Sequence, residues 1–117
     1  MNEGGISSDL IRGNIDTIIL CILYDGDNYG YEIIKSILKK SEGKYELKEP
    51  SLYTSLKRLE GQKLIESYWG DESQGGRRKY YKITEAGIEI YENSFSAWKT
   101  GRDLIDKLIE REGDING

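Results

Sequence analysis

Three helix-length apolar stripes, a pair of short strand segments around a glycine-rich turn, and one long heptad stripe predict a mainly α protein with a small β-wing. At 117 residues and 37% hydrophobic, the chain buries one modest core, since two independent cores would each be too small to stand alone.

The first stripe places Leu10, Ile11, Ile15, Ile18, Ile19, Ile22 and Leu23 at steps of three and four, which predicts one helix from Asp9 to Tyr24 with Ser7 or Ser8 as its N-cap. Asp25-Gly26-Asp27-Asn28 is a turn cluster. A second helix follows from Tyr29 to Ser41, with Tyr31, Ile34, Ile37 and Leu38 on one stripe and Gly43 as its stop. Tyr45 to Leu47 is long enough only for an extended link or one small strand. Pro50 opens the third helix, where its missing N–H does no harm, and Leu52, Leu56 and Leu59 carry that helix to about Gln62.

Leu64 to Trp69 and Arg77 to Ile83 are rich in Ile, Tyr and Trp and flank Gly70 to Gly76, the pattern of a hairpin with a long tip. Alternation puts at least one of Tyr80 and Tyr81 into the buried face of that hairpin. Thr84 caps a final helix reaching about Glu112, in which Ile88, Tyr91, Phe95, Trp98, Arg102, Ile105 and Ile109 follow an a/d register. Nothing in the chain itself covers so long a stripe, so a second copy is the economical cover. The expected organisation is a winged helix-turn-helix over residues 1–84 and a C-terminal dimerisation helix over 85–117.

The net charge of −4 at first argues against nucleic acid, yet its distribution reverses that argument. Residues 35–82 carry +5 and the remainder −9. In a winged helix-turn-helix the third helix enters the major groove and the hairpin tip reaches the backbone. On that helix Ser51, Tyr53, Thr54, Lys57 and Arg58 supply the hydroxyls and cations that phosphates and base edges accept. On the wing Gly75 and Gly76 permit close backbone approach beside Arg77, Arg78 and Lys79. Lys35, with Lys44 and Lys48, is a further phosphate candidate. Taken alone, Lys57 and Arg58 could equally be a solvated helix face, and the winged helix a protein-interaction module.

Enzymatic chemistry lacks its usual starting material, because there is no His and the one cysteine, Cys21, lies in an apolar run. Metal ligands and a disulfide partner are missing for the same reason, and no cofactor is expected. Met1 to Ser8 has no basic region or cleavage site, and the apolar run of residues 18–23 is far short of a bilayer, so a cytoplasmic protein without a membrane partner is expected.

Four blocks carry a family resemblance: Tyr29-Gly30-Tyr31-Glu32-Ile33-Ile34, the stretch from Glu49 to Glu60, Gly75-Gly76-Arg77-Arg78-Lys79-Tyr80-Tyr81, and Thr84-Glu85-Ala86-Gly87. In this order and spacing they resemble the PadR transcriptional regulators. The wing and the aromatic C-terminal helix are similar in particular to the lactococcal multidrug-binding repressor within that family. The resemblance implies a dimer built from the first and last helices, and repression of operator DNA relieved by a ligand. It implies a planar aromatic small molecule held between two tryptophans, one per subunit, a position that falls here on Trp98. Phe95, Tyr91, Asn14, Thr17 and Cys21 would be its walls by helix-to-helix correspondence. An aromatic residue in an a/d stripe also serves as plain dimer core, so both readings of Trp98 stand at this point. Arg102, one turn beyond, leaves the charge preference of a ligand open.

Overall fold

The computed structural model describes residues 8–70 and 77–112. Its elements are α1 (Ser8–Arg12), α2 (Ile15–Tyr24), β1 (Asn28–Tyr29), α3 (Gly30–Lys40), α4 (Glu49–Gly61), β2 (Ile65–Trp69), β3 (Lys79–Ile83) and α5 (Glu85–Ile109). The protein is mostly helical with one small antiparallel sheet, as the periodicities predict, and differs from them in two places.

The expected helix from Asp9 to Tyr24 is two helices. Gly13 disfavours helix, and Asn14 turns its side chain back so that Nδ2 donates to the carbonyl of Leu10 at 2.9 Å. The chain makes a tight turn there, with Asn14 N–H on the carbonyl of Ile11, and restarts as α2. The second difference is β1, which falls where the sequence reads as turn and helix start. Asn28 pairs with Tyr81 and Tyr29 with Tyr80, so the sheet has three strands in the order β1-β3-β2. Between β2 and β3 the register sets Ser67 opposite Tyr81 and Tyr68 opposite Tyr80. Tyr81 faces the core and Tyr80 is half-buried between the rings of Tyr29 and Tyr68.

The core gathers Ile19, Leu20 and Leu23 of α2, Ile33 and Ile37 of α3, Leu52, Leu56 and Leu59 of α4, Ile65 of β2, and Leu47 from the α3–α4 link. That link forms no strand, but burying Leu47 ties it down. Both α3 and α4 end with a residue in the left-handed region followed by a 6→1 hydrogen bond. Glu42 has φ 56° with Gly43 N–H on the Leu38 carbonyl, and Lys63 has φ 64° with Leu64 N–H on the Leu59 carbonyl.

α5 starts as the sequence predicts, with Thr84 Oγ1 accepting from Gly87 N–H at 3.0 Å. Thr84 also donates its hydroxyl to Lys63 and its N–H to Leu64, which seats the helix base on the α4–β2 connection. At 25 residues α5 runs about 37 Å, further than the helices beside it can cover. Beyond Trp98 its apolar residues Leu104, Ile105, Leu108 and Ile109 are all more than half exposed. Among the described residues, no helix is long and apolar enough to cross a membrane.

Candidate nucleic-acid interface and apolar cavity

The amphipathic period of α4 turns Leu52, Leu56 and Leu59 inward and leaves Ser51, Tyr53, Thr54 and Lys57 on its exposed side. Thr54 Oγ1 donates back to the Pro50 carbonyl at 2.9 Å. The Tyr53 ring lies against the start of α3, so close to Gly30 that a Cβ there would run into its hydroxyl. Arg58 is directed sideways to α2. Its Nε and Nη2 donate to the two carboxylate oxygens of Asp16 at 2.9 and 2.8 Å, and Nη2 also reaches Ser55 Oγ at 3.1 Å. That hydrogen bond and the Asp16 charge raise the Arg58 pKa further. Lys35, on the outer side of α3, is paired with Glu32 at 3.3 Å and sits over the Tyr31 ring.

At the base of the wing each cation rests on an aromatic face: Arg77 over Trp69 at 5.3 Å, Arg78 over Tyr29 at 4.8 Å, and Lys79 over Tyr81 at 5.9 Å. Stacking of this kind holds a guanidinium in place and leaves its charge intact. Gly75 and Gly76 lie outside the described residues. The Tyr68 hydroxyl donates to Asp27 at 2.5 Å, which raises the Tyr68 pKa and pins the strand to the turn before α3. Between the start of α3, α4 and β3 opens a cleft of about 540 Å³ walled by Tyr29, Tyr31, Tyr53, Arg78 and Lys79. The sequence reading singled out Tyr53 and Arg78 for this face, but not the two tyrosines of the β1–α3 junction, whose placement depends on the unforeseen β1.

On the opposite side of the core, α2 and α5 enclose an apolar cavity of about 420 Å³. Asn14, Thr17, Cys21, Tyr91, Phe95 and Trp98, six residues drawn from two distant segments, all line it. Leu10, Ile11 and Ile18 complete the walls. The sequence reading left those three out, although the helical steps from Asn14 to Ile18 and Cys21 already pass through this face. Tyr91 anchors the aromatic side: its ring meets Tyr24 at 5.4 Å and stacks on Phe95 at 6.0 Å. A hydrogen bond shared with Cys21, reinforced by burial, raises the Tyr91 pKa. Trp98 is 36% exposed and Phe95 43%, so the aromatic wall is open to the outside in the single chain. At the rim Lys99 sits over Phe95 at 4.6 Å and Arg102 pairs with Asp103 at 3.5 Å.

Comparison with known proteins assigns this arrangement. The PadR-like transcriptional regulator family matches residues 19–93. A transcriptional regulator from Clostridium thermocellum superposes with a TM-score of 0.82 at 46% identity, covering 90% of this chain and 99% of that one. A PadR family regulator from Clostridium difficile superposes with a TM-score of 0.71 at 36% identity, over 82% of this chain and 98% of that one. The transcriptional regulator YqjI of Escherichia coli is 34% identical over 100 residues, which span 86% of this chain but only 43% of YqjI. These relatives are transcription regulators. The finer likeness to a multidrug-binding repressor is not indicated by them. With its family match spanning the helical core, the wing strands and the base of α5, the chain belongs to the PadR-like family of DNA-binding transcriptional regulators.

Proposed function

We propose that the protein is a homodimeric repressor whose hold on operator DNA is modulated by a planar aromatic molecule bound in the α2–α5 cavity. The observation that carries this reading is the cavity itself. Its volume is in the range that holds a small molecule, its walls are apolar and aromatic, and its open side runs into the exposed stripe of α5. A second copy laid along that stripe covers Leu104, Ile105, Leu108 and Ile109 and closes the cavity with its own aromatic wall. Two indoles can then sandwich a flat ligand while tolerating varied substituents, because π-faces impose little directional demand. This is the arrangement that the likeness to the multidrug-binding repressor implies.

On the DNA side, Ser51, Tyr53, Thr54 and Lys57 form the groove-facing surface of α4, and Gly75, Gly76, Arg77 and Arg78 the wing contact. Lys35, already paired with Glu32, adds a weaker phosphate contact. α2 links the two sites. One of its faces walls the cavity through Thr17, Ile18 and Cys21, while Asp16, on another, grips Arg58 of α4. The two recognition helices must meet half-sites about 34 Å apart, so a ligand that binds one dimer shape better than the other shifts both contacts together.

The test is titration with a planar acridine dye followed by the fluorescence anisotropy of the dye itself, with tryptophan quenching read in a Trp69→Phe background so that Trp98 alone reports contact. Saturable quenching of Trp98, with dye binding by anisotropy lost in Trp98→Ala while size-exclusion chromatography still gives a dimer, is the expected result. Unchanged dye affinity in Trp98→Ala puts the ligand elsewhere and overturns the assignment of the cavity.

A further inference from the structure

Of the cations on the face turned toward DNA, the wing set and Arg58 are held in opposite ways. Arg77, Arg78 and Lys79 rest on aromatic rings, which hold a positive charge without neutralising it. Arg58 is held by an anion. Both of its engaged nitrogens lie on the Asp16 carboxylate, the same planar two-point grip that a guanidinium makes on a phosphate.

The pair is poised for exchange. The Arg58 side chain is 47% exposed and that of Asp16 34%, so neither charge has to be carried out of a dry interior when the contact opens. Arg58 follows Lys57 directly on α4, one to two turns beyond Ser51 and Thr54, within reach of the backbone that flanks a groove-inserted helix. Exposed ion pairs of this kind are weak and screened by salt, whereas an arginine placed on duplex DNA gains from the release of condensed counterions.

We propose that Asp16 is an internal competitor for Arg58, occupying the guanidinium in the free protein and yielding it to a backbone phosphate when DNA binds. Asp16 thereby sets the affinity of the recognition helix without touching DNA. The proposal rests on the reading that α4 faces DNA. It goes beyond that reading by making one cation of the face conditional and by giving a role to a carboxylate on a different helix.

The experiment measures the affinity of the full chain for a random-sequence 20-base-pair duplex by fluorescence anisotropy, as a function of NaCl. It compares wild type, Asp16→Asn, Arg58→Gln, the double variant, and Lys57→Gln as the reference for the face. Thermal melting followed by circular dichroism establishes that each variant is folded. Asp16→Asn is expected to tighten binding by up to about five-fold per protomer, the strength of an exposed pair. That gain should vanish when Arg58 is Gln, and Arg58→Gln alone should make the salt slope shallower by about 0.9 per protomer. A gain of the same size in the Arg58→Gln background means that Asp16 merely repels DNA, and overturns the proposal. Weaker binding in Asp16→Asn, with an unchanged slope in Arg58→Gln, shows a fixed strut between α2 and α4 and overturns it too. Because Lys57 has no such partner among the described residues, a shallower slope in Lys57→Gln keeps the α4 reading when the Asp16 proposal fails. An unchanged slope there, together with one in Arg58→Gln, removes both.

Discussion

Gly30→Ala separates DNA recognition from folding. Gly30 is the first residue of α3, and a Cβ added there would run into the Tyr53 hydroxyl, come within 3.0 Å of Tyr53 Cζ and 3.3 Å of Leu52 Cδ2. Leu52 is fully buried and stays, so the Tyr53 ring has to move. That ring is 47% exposed, and swinging it into solvent forfeits the buried half of its contact, about 1 kcal/mol. Alanine returns up to ~1 kcal/mol through helix propensity, since no left-handed backbone stands in its way. The net change in stability is therefore within about 1 kcal/mol, a shift in Tm of less than ~8 °C for a domain of this size.

DNA affinity behaves differently. If Tyr53 donates to a phosphate from the cleft beside Arg78 and Lys79, as the proposed DNA-facing surface requires, displacing it forfeits a charge-assisted hydrogen bond of about 1.5–3 kcal/mol, or tenfold or more per protomer. The assays are thermal melting by circular dichroism and duplex binding by anisotropy, with Tyr53→Phe as the reference that removes the hydroxyl and keeps the ring. Gly30→Ala and Tyr53→Phe should weaken binding alike while melting close to wild type. A large fall in Tm with DNA affinity within about two-fold of wild type would show that Tyr53 only packs, and would refute the reasoning.

Other perturbations test the remaining parts. Gly87→Ala places a Cβ against the Leu64 carbonyl and 2.7 Å from Ile83 Cγ1. That carbonyl is fixed by the Thr84 N–H, so overpacking should cost about 1–3 kcal/mol, and an unshifted Tm would contradict the seating of α5. Arg77→Ala with Arg78→Ala should make the salt slope of duplex binding shallower by about 1.8 per protomer; an unchanged slope removes the wing from the phosphate contacts. Ile105→Glu with Leu108→Glu puts charge on the exposed stripe of α5, and light scattering should then report a monomer. A dimer that survives both changes uses another surface.

The elements that the sequence made legible are those specified by local chemistry. Thr84 caps α5 with its own hydroxyl, Pro50 sits in the first turn of α4, and the leucines of α4 turn inward on a plain helical period. The two departures depend on contacts with distant parts of the chain or on a side chain that the apolar pattern ignores. Asn28 and Tyr29 form a strand only because Tyr80 and Tyr81 arrive beside them some 50 residues later. Within the stripe from Leu10 to Leu23, the apolar spacing continues across Gly13 and Asn14, so hydrophobic periodicity reads through a break made by an amide bonding backward to Leu10.

The site divides along the same line. All six residues expected around a ligand meet at one cavity because each helix brings its own face there: Asn14, Thr17 and Cys21 recur at steps of three and four on one, Tyr91, Phe95 and Trp98 on the other. Correspondence of two regular helices is enough to bring two such faces together once the helices are known to pack. Arg58 is the contrary case. Its position on α4 reads as a DNA-facing cation, and nothing within four residues of it signals that a carboxylate 42 residues earlier takes two of its three nitrogens. A helical period reports the direction of a Cβ, while a long side chain chooses its partner within a reach of several ångströms, so charge on a predicted face is an upper bound on the charge that the face presents. Counted that way, two cations of the proposed DNA side, Arg58 and Lys35, are already answered in the free protein by Asp16 and Glu32. On the proposed DNA-binding mode, affinity for DNA of random sequence should then be lower than the cations of these helices alone suggest, which leaves more of the discrimination to groups that reach base edges.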